Sequence, residues 1–478
     1  MTLAEDHALN PGPVEDEGVC FVAPASFAQR RLWFIDRLQP NLSVYCLPAA
    51  WRMRGRLDEA ALQRALDEIE ARHEALRTTF EWEDGEPVQV IAPPSGLKLQ
   101  RLPISDEDRT LDERVVETVQ AEADRPFDLA RGPLVRASLI HVGQDDAVLI
   151  LAMHHIISDL WSLGVISNEL WSLYAAFRAG DPSPLEPLPI QYADYAAWQR
   201  DRLRGERLER DLDFWREYLQ DAPEATELPA DHPRPASARF RGAWQDFELE
   251  GARSNRLRAV SAQLDATLFM TVAAMLAIAL SRWSAREDVV IGYPVAGRNR
   301  KELEPLVGLF INTLVLRVRV TEKMSFSDIV EQVREGVLAA HNHQDLPFER
   351  LVEALQPVRD TARHPIFRVA YSFVGLDHDS LKLYGLDLEW VQTVVRSSKF
   401  DLTLSFTEAG EELWGGFEYS TDLFDQPTAA RLVAELETLL NAVLDDPARR
   451  VCDIPILPDA QVERPADWEP GPQAPVST

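Results

Sequence analysis

Apolar positions recur at helical spacing from Phe27 onward, with Leu32, Trp33, Ile35 and Leu38 on one face, which predicts a short amphipathic helix over 27–38. Leu62, Leu66 and Ile69 repeat the pattern behind Asp58, a residue suited to capping, so a second helix is expected over 58–73. Arg77–Phe80 and Val88–Ile91 flank Asp84-Gly85 and read as strands about a turn. Ala147–Met153 is an unbroken apolar run, the signature of a strand buried on both faces. A helix over 161–177 follows, carrying Val165, Ile166, Leu170, Leu173, Tyr174 and Phe177 on one side.

A Pro-rich stretch over 182–189 and one polar helix over 195–219 mark a lobe boundary. After the irregular 223–239 the alternation resumes. Helices are expected over 264–283, 327–341 and 427–444, and strands over 289–291, 310–320, 367–374 and 413–419. The apolar run Leu268–Leu280 is shorter than the roughly 18–20 residues of a membrane span, so it is a core helix. Interleaved strands and helices in both halves predict two α/β lobes, at 20–195 and 196–458. A polar N-terminal tail over 1–19 and a Pro-rich C-terminal tail over 459–478, both expected to be disordered, frame them.

The 78 acidic side chains against 49 basic ones leave a formal charge of −29. That balance argues against nucleic acid and against an anionic membrane surface as partners. Of the 49 cations only five are lysine (Lys98, Lys301, Lys323, Lys382 and Lys399), leaving 49 − 5 = 44 arginines. Cys20, Cys46 and Cys452 are too scattered for a disulfide framework or a structural metal site, and the N-terminus carries no signal pattern; a reducing cytoplasm is the expected location.

The candidate chemistry sits in Met153-His154-His155-Ile156-Ile157-Ser158-Asp159, where two histidines end a buried strand and an acid follows four residues after the second. A neutral imidazole on such a platform accepts a proton from an incoming nucleophile. The acid folds back through the turn, to touch the imidazole or to pair with an arginine. A pair of core histidines satisfied by backbone carbonyls fits the same residues.

The flanks resemble the condensation domains of nonribosomal peptide synthetases, relatives of chloramphenicol acetyltransferase. His154 to Asp159 matches their HHxxxD motif. Ser26-Phe27-Ala28-Gln29-Arg30-Arg31-Leu32-Trp33 is similar to the first core motif and Arg72-His73-Glu74-Ala75-Leu76-Arg77-Thr78-Thr79-Phe80 to the second. Tyr192 to Trp198, Val307 to Thr313, His343 to Glu349 and Arg359 to Phe367 follow in the family's order. The resemblance implies two acetyltransferase-like lobes in a V-shaped pseudo-dimer, with a tunnel between them. A donor thioester enters on a carrier protein's phosphopantetheine arm and the acceptor from the other side.

In that frame His155 takes the acceptor's proton or orients the acceptor and stabilises the intermediate, while His154 is structural. Asp159 is a scaffold carboxylate that needs a cation, and Arg298 resembles the family's usual partner. Arg72 and Arg77 brace the second motif, Arg77 being the less exposed. Trp198 and Tyr192 pack at the lobe junction. Asn312 either donates to the thioester oxygen or packs a strand end. Ser158 and Ser162 flank the tunnel loop. Leu160 stands where the family usually has glycine, so it turns away or narrows one arm of the tunnel. The intact histidine pair disfavours heterocyclising and recruiting subtypes, and Trp161-Ser162 departs from the epimerising pattern.

Gly375 to Leu381 is faintly similar to a carrier's phosphopantetheine site, but Leu381, Tyr384 and Leu386 run into an extended segment rather than a helix, so Ser380 is not read as an attachment point. The expectation is a stand-alone condensation enzyme working in trans. It binds no cofactor or metal of its own and joins a carrier-bound acyl group to a small amine or alcohol. Two rivals are a non-catalytic docking module for carrier proteins or tailoring enzymes, and an acyltransferase using free coenzyme A thioesters.

Overall fold

The computed structural model describes residues 20–458 except 41, 105–109, 224, 250, 357–363, 376–381, 384–385, 392–395 and 411. Both expected tails, Ser380 and the 359–363 part of the last motif lie outside the described residues.

The first half of the chain forms β1 (Phe21–Pro24), α1 (Phe27–Leu38), β2 (Cys46–Arg54), α2 (Glu59–Arg72), β3 (Thr78–Glu83), β4 (Glu86–Ile91), β5 (Leu99–Leu102), α3 (Leu111–Asp124), β6 (Val135–Gly143), β7 (Asp146–His154) and α4 (Leu160–Ala179). Then come α5 (Tyr192–Arg202), α6 (Gly205–Tyr218), β8 (Gly242–Leu249), α7 (Gly251–Gln263), α8 (Leu268–Ser284), β9 (Asp288–Val295), β10 (Asn312–Arg319), α9 (Phe326–Asn342) and α10 (Phe348–Leu355). β11 (Val369–Gly375), β12 (Lys382–Leu383), β13 (Leu386–Trp390), β14 (Leu402–Ala409), β15 (Glu412–Ser420) and α11 (Gln426–Asp445) complete the fold.

Each lobe is built on a six-stranded sheet, ordered β12-β13-β2-β7-β6-β5 in the first and β10-β9-β11-β14-β15-β8 in the second; β1-β4-β3 is a smaller third sheet. β7 lies between β2 and β6, and all but its first residue are buried, which is why its sequence is a continuous apolar run. In α8 every residue from Met270 to Leu280 is buried, and among the described residues no single helix is long and apolar enough to cross a membrane. Local signals set the helix ends. The Asp58 carboxylate accepts from the N–H groups of Ala60 and Ala61 at the start of α2, and Gly180 stops α4 with φ +86°.

The single polar helix expected over 195–219 is two helices. Gly205, at φ +60°, adopts the left-handed backbone that interrupts a helix and begins α6. The chain also returns late to its first lobe. β13 pairs antiparallel with β2, placing Trp390 opposite Trp51. Leu303, Leu306, Val307, Leu309 and Phe310 join the first lobe's hydrophobic core. These exchanges tie the two lobes together.

Candidate active site

β7 delivers His154 and His155 to its C-terminal end, and the chain turns at once through one 3₁₀ turn, His155–Ile157, into α4. His154 is 4% exposed, and its Nδ1 accepts from the Ile156 N–H at 3.1 Å. Its ring lies against those of Tyr45 and Phe127. Burial first, then the charges of His155 and Lys399, pulls its pKa down to about 3.

His155 is partly exposed, and its Nδ1 lies 2.8 Å from the Ser158 carbonyl oxygen. A carbonyl only accepts, so Nδ1 carries the proton and Nε2 keeps its lone pair. Burial, then the Lys399 charge, draws its pKa down to about 3 against the opposing pull of the Ser158 carbonyl. The imidazole is therefore neutral throughout the physiological range.

The turn is held from two sides. Gln29, buried on α1, donates through Nε2 to the Ile156 carbonyl at 3.2 Å and to Gln89 Oε1 at 3.1 Å. Asp159 caps α4. Its Oδ1 accepts from the Ser162 N–H at 2.8 Å and lies 2.7 Å from Ser162 Oγ. Oδ2 accepts from the Phe310 N–H at 3.0 Å. Arg298 Nη2 donates to Asp159 Oδ1 at 3.2 Å and to Ser162 Oγ at 2.8 Å. Arg298 also donates to the carbonyls of Leu303 and Leu306 and lies 4.0 Å from the Phe310 ring centroid. Burial lowers its pKa while Asp159 opposes. With both oxygens engaged this way, the Asp159 carboxylate braces the turn and links it to the second half of the chain. Two glycines permit the approach. A Cβ on Gly308 would fall 1.9 Å from the Tyr192 ring, and one on Gly297 (φ +66°) 2.0 Å from the Phe310 carbonyl oxygen.

The other candidates fall around this frame. Ser158 and Ser162 are fully buried. Leu160 opens α4 and is 49% exposed, turned toward solvent. Arg72 pairs with Glu169 at 3.0 Å, and Arg77 donates to the Ala92 carbonyl; Arg77 is the less exposed of the two side chains. Asn312 spends its amide on backbone. Its Nδ2 donates to the carbonyls of Gln344 and Leu346, and its Oδ1 accepts from the Phe348 N–H at 3.0 Å. Trp198 is stacked by Arg202 and Arg300 and, with Tyr195, Phe310, Asn312 and Pro347, lines a cleft between α1, α5 and the start of β10. Tyr192 Oη bonds Ser26 Oγ and the Leu309 carbonyl.

In the sequence, Gln29 and His73 stand out only as parts of motifs. His73 is buried and pairs with Glu169 at 2.7 Å, closing a triad with Arg72. Lys399 has no role legible in the sequence beyond being one of five lysines, because nothing local joins residue 399 to residue 155. Near the end of α1, Phe34, Leu38 and Trp82 are exposed, with Arg30 and Arg37 over the adjoining rings of Phe34 and Trp33.

A family model described as a condensation domain matches residues 21–464. A linear gramicidin synthase polypeptide of Brevibacillus parabrevis is 42% identical over 441 residues, 92% of this chain and 6% of that protein. The chain thus spans a small fraction of the synthase it matches. The X-domain from teicoplanin biosynthesis superposes with a TM-score of 0.84 at 32% identity, covering 94% of this chain and all of that one. SgcC5 of Streptomyces globisporus, solved in complex with (R)-(-)-1-(2-naphthyl)-1,2-ethanediol and sucrose, gives 0.74 at 29% identity over 89% of this chain and all of its own.

Proposed function

The chain belongs to the condensation domain family, and from that premise we propose that it makes an amide bond in nonribosomal peptide biosynthesis. The acyl or aminoacyl donor is a thioester on the phosphopantetheine arm of a carrier protein, and the acceptor is an amine. The protein brings no cofactor or metal of its own to the step.

One observation carries this reading: the His155 imidazole, neutral, protonated on Nδ1 and left with a lone pair on Nε2. The amine nitrogen bonds to the thioester carbonyl carbon, and the carbonyl π pair moves onto oxygen. Nε2 takes a proton from the new ammonium. The carbonyl re-forms, the C–S bond breaks with its pair on sulfur, and the thiolate recovers the proton from His155. Thioester plus amine thus becomes amide plus thiol, and the imidazole returns to its starting state. An amine suits this base better than an alcohol, because the ammonium of a tetrahedral adduct gives up its proton far more readily than a neutral hydroxyl does.

The exposed Phe34, Leu38 and Trp82, with Arg30 and Arg37 beside them, support a carrier protein as partner, since an apolar patch flanked by cations suits an acidic protein surface. The intact histidine pair favours catalysis over pure docking. An alcohol acceptor is the second reading, favoured by the diol bound in the SgcC5 structure.

Mass spectrometry of the product from one loaded carrier and a mixed pool of amines and alcohols tests the proposal. An amide alone is expected. An ester alone overturns the choice of acceptor, and equal rates from the coenzyme A thioester of the same acyl group overturn the carrier.

A further inference from the structure

Lys399 stands in the turn before β14, and that turn is clamped. Ser397 bridges Arg241, the Ser398 N–H donates to the Phe240 carbonyl at 3.0 Å, and the Asp401 N–H donates to the Arg368 carbonyl at 3.0 Å. A Cβ on Gly242 would fall 2.4 Å from the Ser397 backbone, so the two segments touch with no side chain between them. From this fixed base the ammonium reaches the first lobe, where Nζ lies 5.1 Å from the Tyr45 ring centroid. Tyr45 precedes Cys46, the register partner of His154, and its ring centroid is 6.3 Å from that of His154. The second lobe thereby sets a cation against the strand end that carries both histidines.

The proton transfers assigned to His155 leave this cation without a task. Burial lowers the Lys399 pKa, with Glu418 on β15 pulling the other way. Burial raises that of Glu418, whose carboxylate is held by Ser398 and the Lys399 backbone. An ammonium stripped of water is costly, and an aromatic face offsets only part of that cost. Lys399 and Arg31, both cations, act on His155, and Arg31 is also engaged with Glu349 at 3.5 Å. A field that disfavours an imidazolium favours a negative charge in the same place.

We propose that Lys399 is the cation that stabilises the negative oxygen formed on the thioester carbonyl when the acceptor attacks beside His155. This rests on the proposed acyl transfer. As the C–N bond forms, the carbonyl π pair moves to oxygen and the ammonium holds that oxyanion without giving up its own proton. The pair then returns, the C–S bond breaks, and the thiolate takes the proton His155 removed from nitrogen. His155 handles the proton and Lys399 the charge.

Single-turnover transfer from a loaded carrier to saturating amine, compared among wild type, Lys399→Met, Lys399→Gln, Lys399→Arg and His155→Ala, tests the assignment. Loss of the cation slows transfer about 100-fold, the scale of one oxyanion contact. Carrier affinity stays within about twofold and arginine restores most of the rate. Nitrogen NMR of the imidazole gives a second readout that needs no substrate. Without the nearby cation, His155 takes up its proton at a higher pH than in wild type. Transfer by Lys399→Met within about threefold of wild type, with His155→Ala silent, overturns the role of Lys399 and leaves acyl transfer standing. Absence of product from the wild type counts against the acyl-transfer reading itself. An unmoved His155 signal in the Gln variant overturns the electrostatic contact in either case. If the Met and Gln chains fail to fold, the arginine variant decides: the role requires near-wild-type transfer there, and loss of transfer overturns it.

Discussion

At the scale of single residues, the charge state of His155 governs the account. Its Nδ1 proton is tied to the Ser158 carbonyl, and burial with a nearby cation keeps the ring neutral down to a pKa of about 3. The sign of the pH dependence follows. An imidazole already neutral above about pH 4 contributes no acid limb near 6.5, the ordinary histidine value. The limb belongs to the acceptor, which must shed its proton before its nitrogen can attack. With a series of amines of different basicity, the acid limb of kcat/KM is predicted to move with the pKa of the amine. A limb fixed near 6.5 for every amine would contradict a depressed His155. His154 answers to a different constraint, since its Nδ1 lone pair is spent on the Ile156 N–H that shapes the turn.

At the scale of elements, the site depends on how the start of α4 is anchored. Asp159 caps the helix, and its carboxylate is the point where Ser162, Phe310 and Arg298 converge. Removing one partner of a buried pair strands the other, at a cost of about 3–5 kcal/mol. Asp159→Ala and Arg298→Ala are each predicted to lose stability on that scale. In urea unfolding the double variant should lose far less than the sum of the two; strict additivity would mean that the pair is not coupled. Much at this scale is legible in the sequence. The apolar run of β7, the capping Asp58 and the amphipathic faces of α1 and α2 are local signals, read from residues a few positions apart. The α5–α6 break is not, because 195–219 is polar with helix-favouring composition, yet α5 stops at Arg202 and the chain starts a new helix at Gly205 with a positive φ. The strand exchange of β13 onto β2 is also illegible, since short extended segments do not announce their partners. The histidines and Asp159 stand out as a contiguous motif. The hold of Gln29 on Ile156 and the approach of Lys399 join residues more than a hundred positions apart, and no spacing rule reaches that far.

At the scale of the whole molecule, a chain with a formal charge of −29 nevertheless lets two cations, Lys399 and Arg31, act on the His155 imidazole. The lobes cooperate in doing so. The first supplies the histidine on a strand buried on both faces. The second supplies Arg298 to lock the helix start, Phe310 to meet the cap, and the clamped turn that carries Lys399. β13 closes the arrangement by completing the first lobe's sheet from the far end of the sequence. Such a frame holds one ring nitrogen ready for a proton. The most direct measurement is single-turnover transfer from a loaded carrier by His155→Ala, with folding of the variant verified by its melting temperature. The account predicts a folded protein whose rate falls about 10²- to 10⁴-fold, the range of a lost general base; a folded variant that transfers at the wild-type rate would contradict it.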